Sequence, residues 1–508
     1  MMTHKQRMLA AMRGEMVDRI PFVPRLDLWW LANLTKGTIP SKYQGMMPDE
    51  ISRKEGWACY HMVPNFADIS SAEDVLHRSI GLFNFKQSAY GWRFSPDVAV
   101  TVQEKDGQQS VEYATPLGSV RTIGGLTEEA QRAGSSIGWV QEHALKTSRD
   151  YRVMAYIFEN LEVFPQEEGC RQYLEKVGEE GAVAAGGPSL GASPMHLIQK
   201  ELIEATQFFY AYKDNYRELK VLADGIAVYF DKVLDILADS PAEVILWGAN
   251  YDEMLTYPPY FEKEILPWLR KASDVLGSRG KILATHTDGE NQGLMELIRD
   301  SGAHVAESVT PYPMTKVKIE EYYARWRDRI TIMGGIPESI LLEETASDEE
   351  FEAFLDTLFK AVAPGDRLIL GTADSTPPNA KFDRLHRIAE RVEKEGRLPL
   401  AAGSLNPISQ LQMERAAVRV SSEKDVDSRL LTIKQNVLNG EEELLVKNAL
   451  ALIGKGMDAG TVLNDGMIPA MEQIGERFKT GDVFIPEVLL SARAMNRAMA
   501  ELEPLFAA

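Results

Sequence analysis

The sequence predicts an α/β protein: a (β/α)8 TIM barrel over residues 1–400 with an N-terminal β-hairpin insertion, a linker at 401–424 and a small all-α helical bundle over 425–508. Three observations carry this expectation. Between about Lys146 and Leu400, short apolar runs alternate with stretches of helical periodicity, and each run ends on polar or glycine residues. Around Gly396–Ser422 the composition turns to Ala, Ser, Pro and Gln. Beyond Asp425 the pattern is helical throughout. Parallel strands buried on both faces read as continuous apolar runs, and a barrel carries its functional loops where those strands end. An open doubly wound sheet is the alternative, although no Gly-x-Gly-x-x-Gly follows a strand.

The elements follow in order. Residues 3–14 read as a helix, with Met8, Leu9 and Met12 at helical spacing and Gly14 as its C-cap. Residues 17–24, punctuated by Pro21 and Pro24, are extended. Residues 99–103 and 110–113 alternate around Lys105-Asp106-Gly107 and predict a hairpin. Helices are expected at 147–163, 194–211 and 216–238. The buried strands are expected at 243–248, 281–286, 304–307, 330–335 and 367–371. In the C-terminal segment, Leu430, Ile433 and Val437 form one apolar face, and Leu444, Leu445, Ala449 and Leu452 another. Gly456, Gly460, Gly466 and Gly481 separate short helices, Pro486 suits a first helical turn, and Val488, Ala492, Met495, Met499 and Leu502 form a long stripe.

Lys and Arg total 55 against 75 Asp and Glu, a formal net charge of −20 in 508 residues. Such a surface repels phosphates, which argues against a general nucleic-acid binder or a binder of anionic membranes. Cys59 and Cys170 are the two cysteines, too few for a disulfide framework, a Cys-rich zinc site or a four-thiolate iron–sulfur cluster. The first residues lack the apolar core of a signal peptide, and no apolar run is long enough to span a bilayer. A cytoplasmic protein is expected.

Chemistry in a barrel belongs just past the strand ends. Four segments qualify: residues 248–253, with Asn250, Tyr251 and Asp252; residues 285–289, with His286 and Asp288; Glu307; and Asp374 in residues 371–378. Converging at one mouth, His286, Asp288, Glu307 and Asp374 form a set of one imidazole and three carboxylates, able to hold zinc with an open position. The same groups can work without a metal, by acid–base chemistry, with His286, Glu307 and Asp374 as the catalytic residues. Each also has a plainer alternative: a hydrogen-bonded strand-end histidine, a Glu307 paired with an arginine, a helix-capping turn at Asp374. Trp29 and Trp30 follow Arg25 and Asp27 and suit either an aromatic pocket wall that binds substrate or the core. Met467, Met471, Met495 and Met499 suit either a cofactor-facing surface or core packing; a dimerisation module is a further use for such a bundle.

These residues resemble two families. Residues 1–400 are similar to the uroporphyrinogen decarboxylase-like superfamily, and to its corrinoid-dependent methyltransferase branch in particular. The resemblance rests on Arg7–Pro21, Thr115–Gly118, Lys146–Tyr151, Pro258–Pro267, His286, Glu307 and Thr376-Pro377-Pro378. The C-terminal segment resembles the helical cap of corrinoid proteins and of cobalamin-dependent methionine synthase, through Val437–Gly440, Gly456–Ala459, Leu463–Met471, Ile474–Phe478, Gly481–Leu490 and Ala492–Met495. The resemblance implies a (β/α)8 fold and a cap covering the methyl-bearing face of a corrin. Met467, Met471, Phe478, Glu487 and Met495 are the residues expected against it.

Two departures shape the expectation. In the cap's family an Asp-x-His-x-x-Gly motif supplies the lower cobalt ligand, and none occurs through Ala508. The corrinoid (cobalamin) is therefore expected in trans, on a separate corrinoid protein or B12-binding domain, or weakly held by the cap. Thiol-methylating relatives carry His-x-Cys…Cys zinc ligands, where this chain has His286, Asp288 and Asp374. A harder ligand set suits a leaving oxygen better than a thiol. The expected activity is corrinoid-dependent methyl transfer of O-demethylase type, zinc-assisted, from a small methoxylated or methylated donor. Trp29, Trp30, Asn250, Tyr251 and Asp252 are expected to bind that donor. The rivals are a decarboxylase-like lyase and a non-enzymatic accessory factor that loads a corrinoid protein. A homo-oligomer is compatible with either.

Overall fold

A computed structural model describes residues 2–65, 68–105, 108–125, 138–188, 190–400 and 428–505. The expected linker at 401–424 and the Asp106-Gly107 turn lie outside the described residues. The chain divides into two compact units, one carrying the barrel and one the C-terminal helices.

Eight parallel strands build the barrel: β1 (Phe22–Val23), β2 (Cys59–Val63), β3 (Gly181–Gly186), β4 (Val244–Leu246), β5 (Ile282–His286), β6 (Val305–Val309), β7 (Thr331–Ile336) and β8 (Leu368–Thr372). Their ladder runs β1–β8–β7–β6–β5–β4–β3–β2. The amide of Ala58 donates to the carbonyl of Phe22 at 3.1 Å, drawing the two ladder edges together. All five strands expected from apolar runs are present. β2 and β3 are two more that the periodicity did not mark.

One end of the barrel is sealed. The N-terminal helix, His4–Arg13, starts at a capping box between Thr3 and Gln6 and stops at Gly14, whose φ of 73° lies in the left-handed region. Its Met8, Leu9, Ala11 and Met12 pack against Ala182, Ala184, Val244, Ile282, Val305 and Ile369 of the strands. Thr331 Oγ1, at the start of β7, donates to the carbonyl of Ala11 at 2.7 Å, and Lys5 meets Glu243, just before β4, at 2.8 Å. Small Ala side chains inside the strands leave room for this helix. The strand C-terminal ends are left for chemistry.

The expected hairpin is there as part of a four-stranded antiparallel sheet, Ala99–Lys105, Gln108–Thr115, Gly118–Gly125 and Trp139–Glu142. The helix expected at 147–163 spans Ser148–Glu159, and Glu162–Pro165 is instead a strand paired with Tyr90–Arg93. The C-terminal unit has long helices at Ser428–Leu438, Glu442–Gly454, Ile468–Thr480 and Ile485–Leu502. Leu430, Ile433, Val437, Leu445, Ala449, Val462, Met467, Ala470, Ala494, Ala498 and Leu502 form its core. Among the described residues no helix is long and apolar enough to cross a membrane.

Candidate active site

Parallel pairing puts His286, the last residue of β5, directly beside Glu307 of β6. Their side chains meet: His286 Nδ1 is in hydrogen-bond contact with Glu307 Oε2. Arg25, two residues past β1, reaches across the mouth. Its Nη1 lies 2.9 Å from Glu307 Oε1, 2.9 Å from Ser308 Oγ and 3.0 Å from Asp374 Oδ1. The far nitrogen of the imidazole, Nε2, lies 3.7 Å from Asp374 Oδ1. Glu307 is wholly enclosed (0% exposed), whereas Asp374 is 40% exposed and faces the opening.

The backbone makes this possible through a local irregularity. The β6–β7 register shifts between Ala306 and Val309, and Ser308 sits at φ 62°, a left-handed conformation that costs energy for any residue with a side chain. Gly334 of β7, at φ 123°, faces the bulge, and a Cβ there would lie 2.9 Å from the amide nitrogen and from the carbonyl oxygen of Val309. Only glycine leaves room for the bulge beside Glu307 and Ser308.

Electrostatics follow from the pairing. Burial disfavours a charged His286, but the Glu307 carboxylate and its hydrogen bond, aided by Asp374, outweigh that and raise the imidazole pKa. Burial likewise opposes ionisation of Glu307, yet His286 and Arg25 hold its pKa below the usual carboxylate value. Asp374 is held low as well; there burial is outweighed by Arg25 and His286. The result is an imidazole held between two carboxylates that favour its protonated form, with Nε2 turned toward the more open one.

Two further carboxyls flank the mouth. Asp288 accepts from Asn250 Nδ2 at 2.8 Å and from Thr310 Oγ1 at 3.2 Å; burial raises its pKa. Glu338, just past β7, accepts from the Asp374 amide at 2.6 Å through Oε1, while its buried Oε2 has no partner among the described residues. Burial raises its pKa too, with Asp374 and Asp288 adding to the effect. Glu338 and the central role of Arg25 escaped the sequence reading. The available signal for Glu338 was its place after Gly335-Ile336-Pro337, at the end of a strand already marked.

The other expected residues divide. Asn250 is exposed at the mouth. Tyr251 is wholly buried, its hydroxyl 2.7 Å from Thr285 Oγ1, so it builds the wall and cannot touch substrate. Asp252 is spent on backbone amides, accepting from Met254 at 2.9 Å and from Glu290 at 3.4 Å. Trp29 and Trp30 are 3% and 8% exposed. Trp29 packs on Tyr43 and Phe382, and Trp30 donates from Nε1 to the Met46 carbonyl at 2.8 Å; both belong to the core.

The four expected metal ligands do not fit a zinc ion. Both oxygens of Glu307 are engaged, one by His286 and one by Arg25. The guanidinium lies within hydrogen-bond reach of two of the four groups and would repel a dication. Among the described residues no three His, Cys, Asp or Glu side chains come together as a metal site.

In the C-terminal unit, Met467 is wholly buried in the core and cannot face a corrin. Glu487 caps its helix, accepting from the Phe484 amide at 2.7 Å. Met471 and Met495 are half-buried against the core. Phe478 is exposed, and so is Ile468. On the helix Ile468–Thr480, residues 468, 471, 475 and 478 share one face, and a Cβ on Gly475 would meet nothing within 4 Å. This face is apolar and open, with a glycine gap.

Residues 170–395 match the family model described as uroporphyrinogen decarboxylase (URO-D), and residues 431–503 match that of a B12 binding domain. Among curated proteins, the chain is similar to a corrinoid protein of Desulfitobacterium hafniense (strain Y51), 30% identical over 77 residues, or 15% of this chain and 36% of that protein. It is similar to trimethylamine corrinoid protein 1 of Methanosarcina acetivorans, 32% identical over 71 residues, 14% of this chain and 33% of that one. The chain thus spans about a third of the length of these relatives. A solved structure, a methyltransferase from Methanosarcina mazei, aligns with TM-score 0.44 at 12% identity over 78% of this chain and 99% of its own.

Proposed function

We propose that this chain, which joins a uroporphyrinogen decarboxylase-like domain to a B12-binding domain, is a corrinoid-dependent methyltransferase of the O-demethylase type. One observation carries the reading: a histidine fixed between carboxylates that favour its protonated form, at a barrel mouth, in a chain that also carries a B12-binding domain. A corrinoid, when bound, supplies a cobalt centre that accepts a methyl group. Phe478, Met471 and Ile468 are the residues that would meet it. A separate corrinoid protein is the proposed partner.

The barrel's residues do the rest. An alkoxide or phenoxide is a poor leaving group, so cleaving a methyl ether needs a proton delivered to oxygen as the C–O bond breaks. His286 Nε2 is the donor. Glu307 holds Nδ1 and so fixes the ring and keeps the imidazolium charged; Arg25 keeps Glu307 ionised. Once the proton has left, Asp374, beside Nε2 and open to solvent, offers the path for its return. A tertiary amine leaving a quaternary ammonium needs no proton, and this is why the site favours an ether over such a donor.

The test is methyl transfer to cob(I)alamin from a panel of methoxylated aromatics, wild type beside His286→Gln. The expected result is demethylation that the variant loses by about a hundredfold or more. Undiminished transfer by the variant, or none by the wild type from any ether, overturns the reading.

A further inference from the structure

Ser308 stands in a conformation that suits glycine. Among the described residues, Ser308 and Arg367 alone combine a side chain with a left-handed backbone, at φ 62° and 54°. Glycine would carry the same backbone without strain. In a regular strand, consecutive side chains point to opposite faces. Glu307 and Ser308 are consecutive in β6, yet both meet the same guanidinium nitrogen, Arg25 Nη1, each at 2.9 Å. The left-handed residue and the register shift beside it break the alternation and bring the hydroxyl into the site. Ser308 is 1% exposed, so that hydroxyl cannot touch a molecule entering the mouth.

The hydroxyl works in both directions. It accepts from Arg25 Nη1 and donates to Asp374 Oδ1 at 3.2 Å. Arg25 Nη1 has two protons and faces three acceptors, Glu307 Oε1, Ser308 Oγ and, at 3.0 Å, Asp374 Oδ1. Through Ser308 the guanidinium reaches Asp374 a second time, and a hydroxyl that accepts from a cation is the stronger donor for it. Asp374 lacks other support at the mouth. Its side chain is 40% exposed, and the last torsion of an aspartate is broad, so its two oxygens would exchange readily. Arg25, Ser308 and, at 3.7 Å, His286 Nε2 all meet the same oxygen, Oδ1.

Resting on the methyltransferase reading, we infer that Ser308 is a positioning residue for methyl transfer. Its hydroxyl holds Asp374 Oδ1 beside His286 Nε2, and so keeps in place the carboxylate through which the histidine regains its proton. Ser308 takes no part in bond breaking and acts through Asp374. The left-handed backbone is what aims the hydroxyl there.

Two variants of the full chain separate the hydroxyl from the backbone. Ser308→Gly and Ser308→Ala both remove the hydroxyl, but only glycine is unstrained at this φ, so Ser308→Gly should melt at the higher temperature. In methyl transfer to cob(I)alamin, kcat should fall by about tenfold to a hundredfold in both, the effect of a small misplacement in a catalytic constellation. KM should stay within about twofold, because Ser308 does not meet the donor. Wild-type kcat in Ser308→Gly overturns the inference, since any loss in Ser308→Ala then belongs to the backbone. Crystal structures of wild type and Ser308→Gly read the geometry without turnover. Asp374 Oδ1 should lie beside Nε2 in the wild type and turn away in the variant. An Asp374 that does not move overturns the inference whatever the kinetics. No transfer by the wild type, with Asp374 turned in the variant, sinks the methyltransferase reading and leaves the placement of Asp374 by Ser308 standing.

Discussion

Glu307 and His286 are paired across adjacent parallel strands, with the carboxylate wholly enclosed and the far imidazole nitrogen left toward the mouth. The pair raises the His286 pKa above its ordinary 6.5. A group whose pKa is raised on folding adds stability that is fully present below the unfolded value and is lost as pH rises through the folded one. The acid form that the reaction needs disappears over the same interval. Methyl transfer should therefore hold steady at low pH and fall as pH rises through a value above 6.5. Glu307→Gln should move that fall to lower pH. A profile without a high-pH limb, or one that Glu307→Gln leaves in place, refutes the acid role.

Arg25 is nine-tenths buried and is the cation that compensates Glu307 from the side away from His286. Arg25→Met would leave a buried carboxylate with half its partners, a change that costs about 3–5 kcal/mol when a buried pair is broken. Arg25→Lys should recover little of this, because one ammonium cannot reproduce a guanidinium that reaches Glu307, Ser308 and Asp374 together. Denaturant unfolding of the two variants measures both expectations. A loss below about 1 kcal/mol for Arg25→Met would mean that water replaces the guanidinium.

Glu338 carries the same sign of pH dependence in a carboxyl group. Its pKa is raised on folding, so ionising it works against the fold as pH climbs from the ordinary carboxylate range through the folded value. Glu338→Gln keeps an acceptor for the Asp374 amide and removes that cost. The melting temperature of the variant relative to wild type should rise with pH above 4.5 and level off once wild-type Glu338 is ionised. A difference that does not change with pH would show that Glu338 titrates normally.

Gly334→Ala isolates the backbone contribution. The added methyl would press on the backbone of Val309 from a conformation that disfavours side chains. The expected cost is about 1–3 kcal/mol. The larger effect should be on kcat, because the bulge that yields carries Ser308 and lies next to Glu307. An equal loss in Gly365→Ala, a glycine at φ 89° beside Leu398 and Leu400, would mark the effect as general destabilisation.

What the sequence disclosed and what it hid have physical causes. β4 to β8 were legible because strands buried on both faces are unbroken apolar runs. β3, Gly-Ala-Val-Ala-Ala-Gly, was not: its small residues have weak strand propensity, and they are small because the N-terminal helix packs inside the barrel against Ala182 and Ala184. β2 was hidden by His61, which interrupts the run. His286, Glu307 and Asp374 were found as polar residues past strand ends, a local signal. That Arg25 binds two of them was not local, since only barrel closure brings residue 25 to residues 307 and 374. The same closure sets the Arg25 guanidinium among the carboxylates that read locally as zinc ligands. Trp29 and Trp30 read equally well as wall or core, and only packing decides between the two.

The C-terminal helices offer a final contrast, between two residues equally marked by the resemblance. Met467 is fully enclosed among Ile433, Val462 and Ala470 in the helical core. Met467→Ala should cost about 2–5 kcal/mol, the usual range for emptying a core site of that size. Phe478 is 37% exposed and shares its helix face with Ile468 and Met471. Phe478→Ala should cost far less in stability, because its ring is only partly withdrawn from water. If that face meets the corrin, the same change should weaken binding of cobalamin to the full chain by about tenfold, the effect expected from losing one aromatic contact of an apolar surface. Spectroscopic titration with cobalamin, run beside unfolding curves, separates the two roles. Unchanged cobalamin affinity in Phe478→Ala would move the docking surface to exposed apolar side chains elsewhere on the bundle, such as Leu431, Leu444 and Leu450.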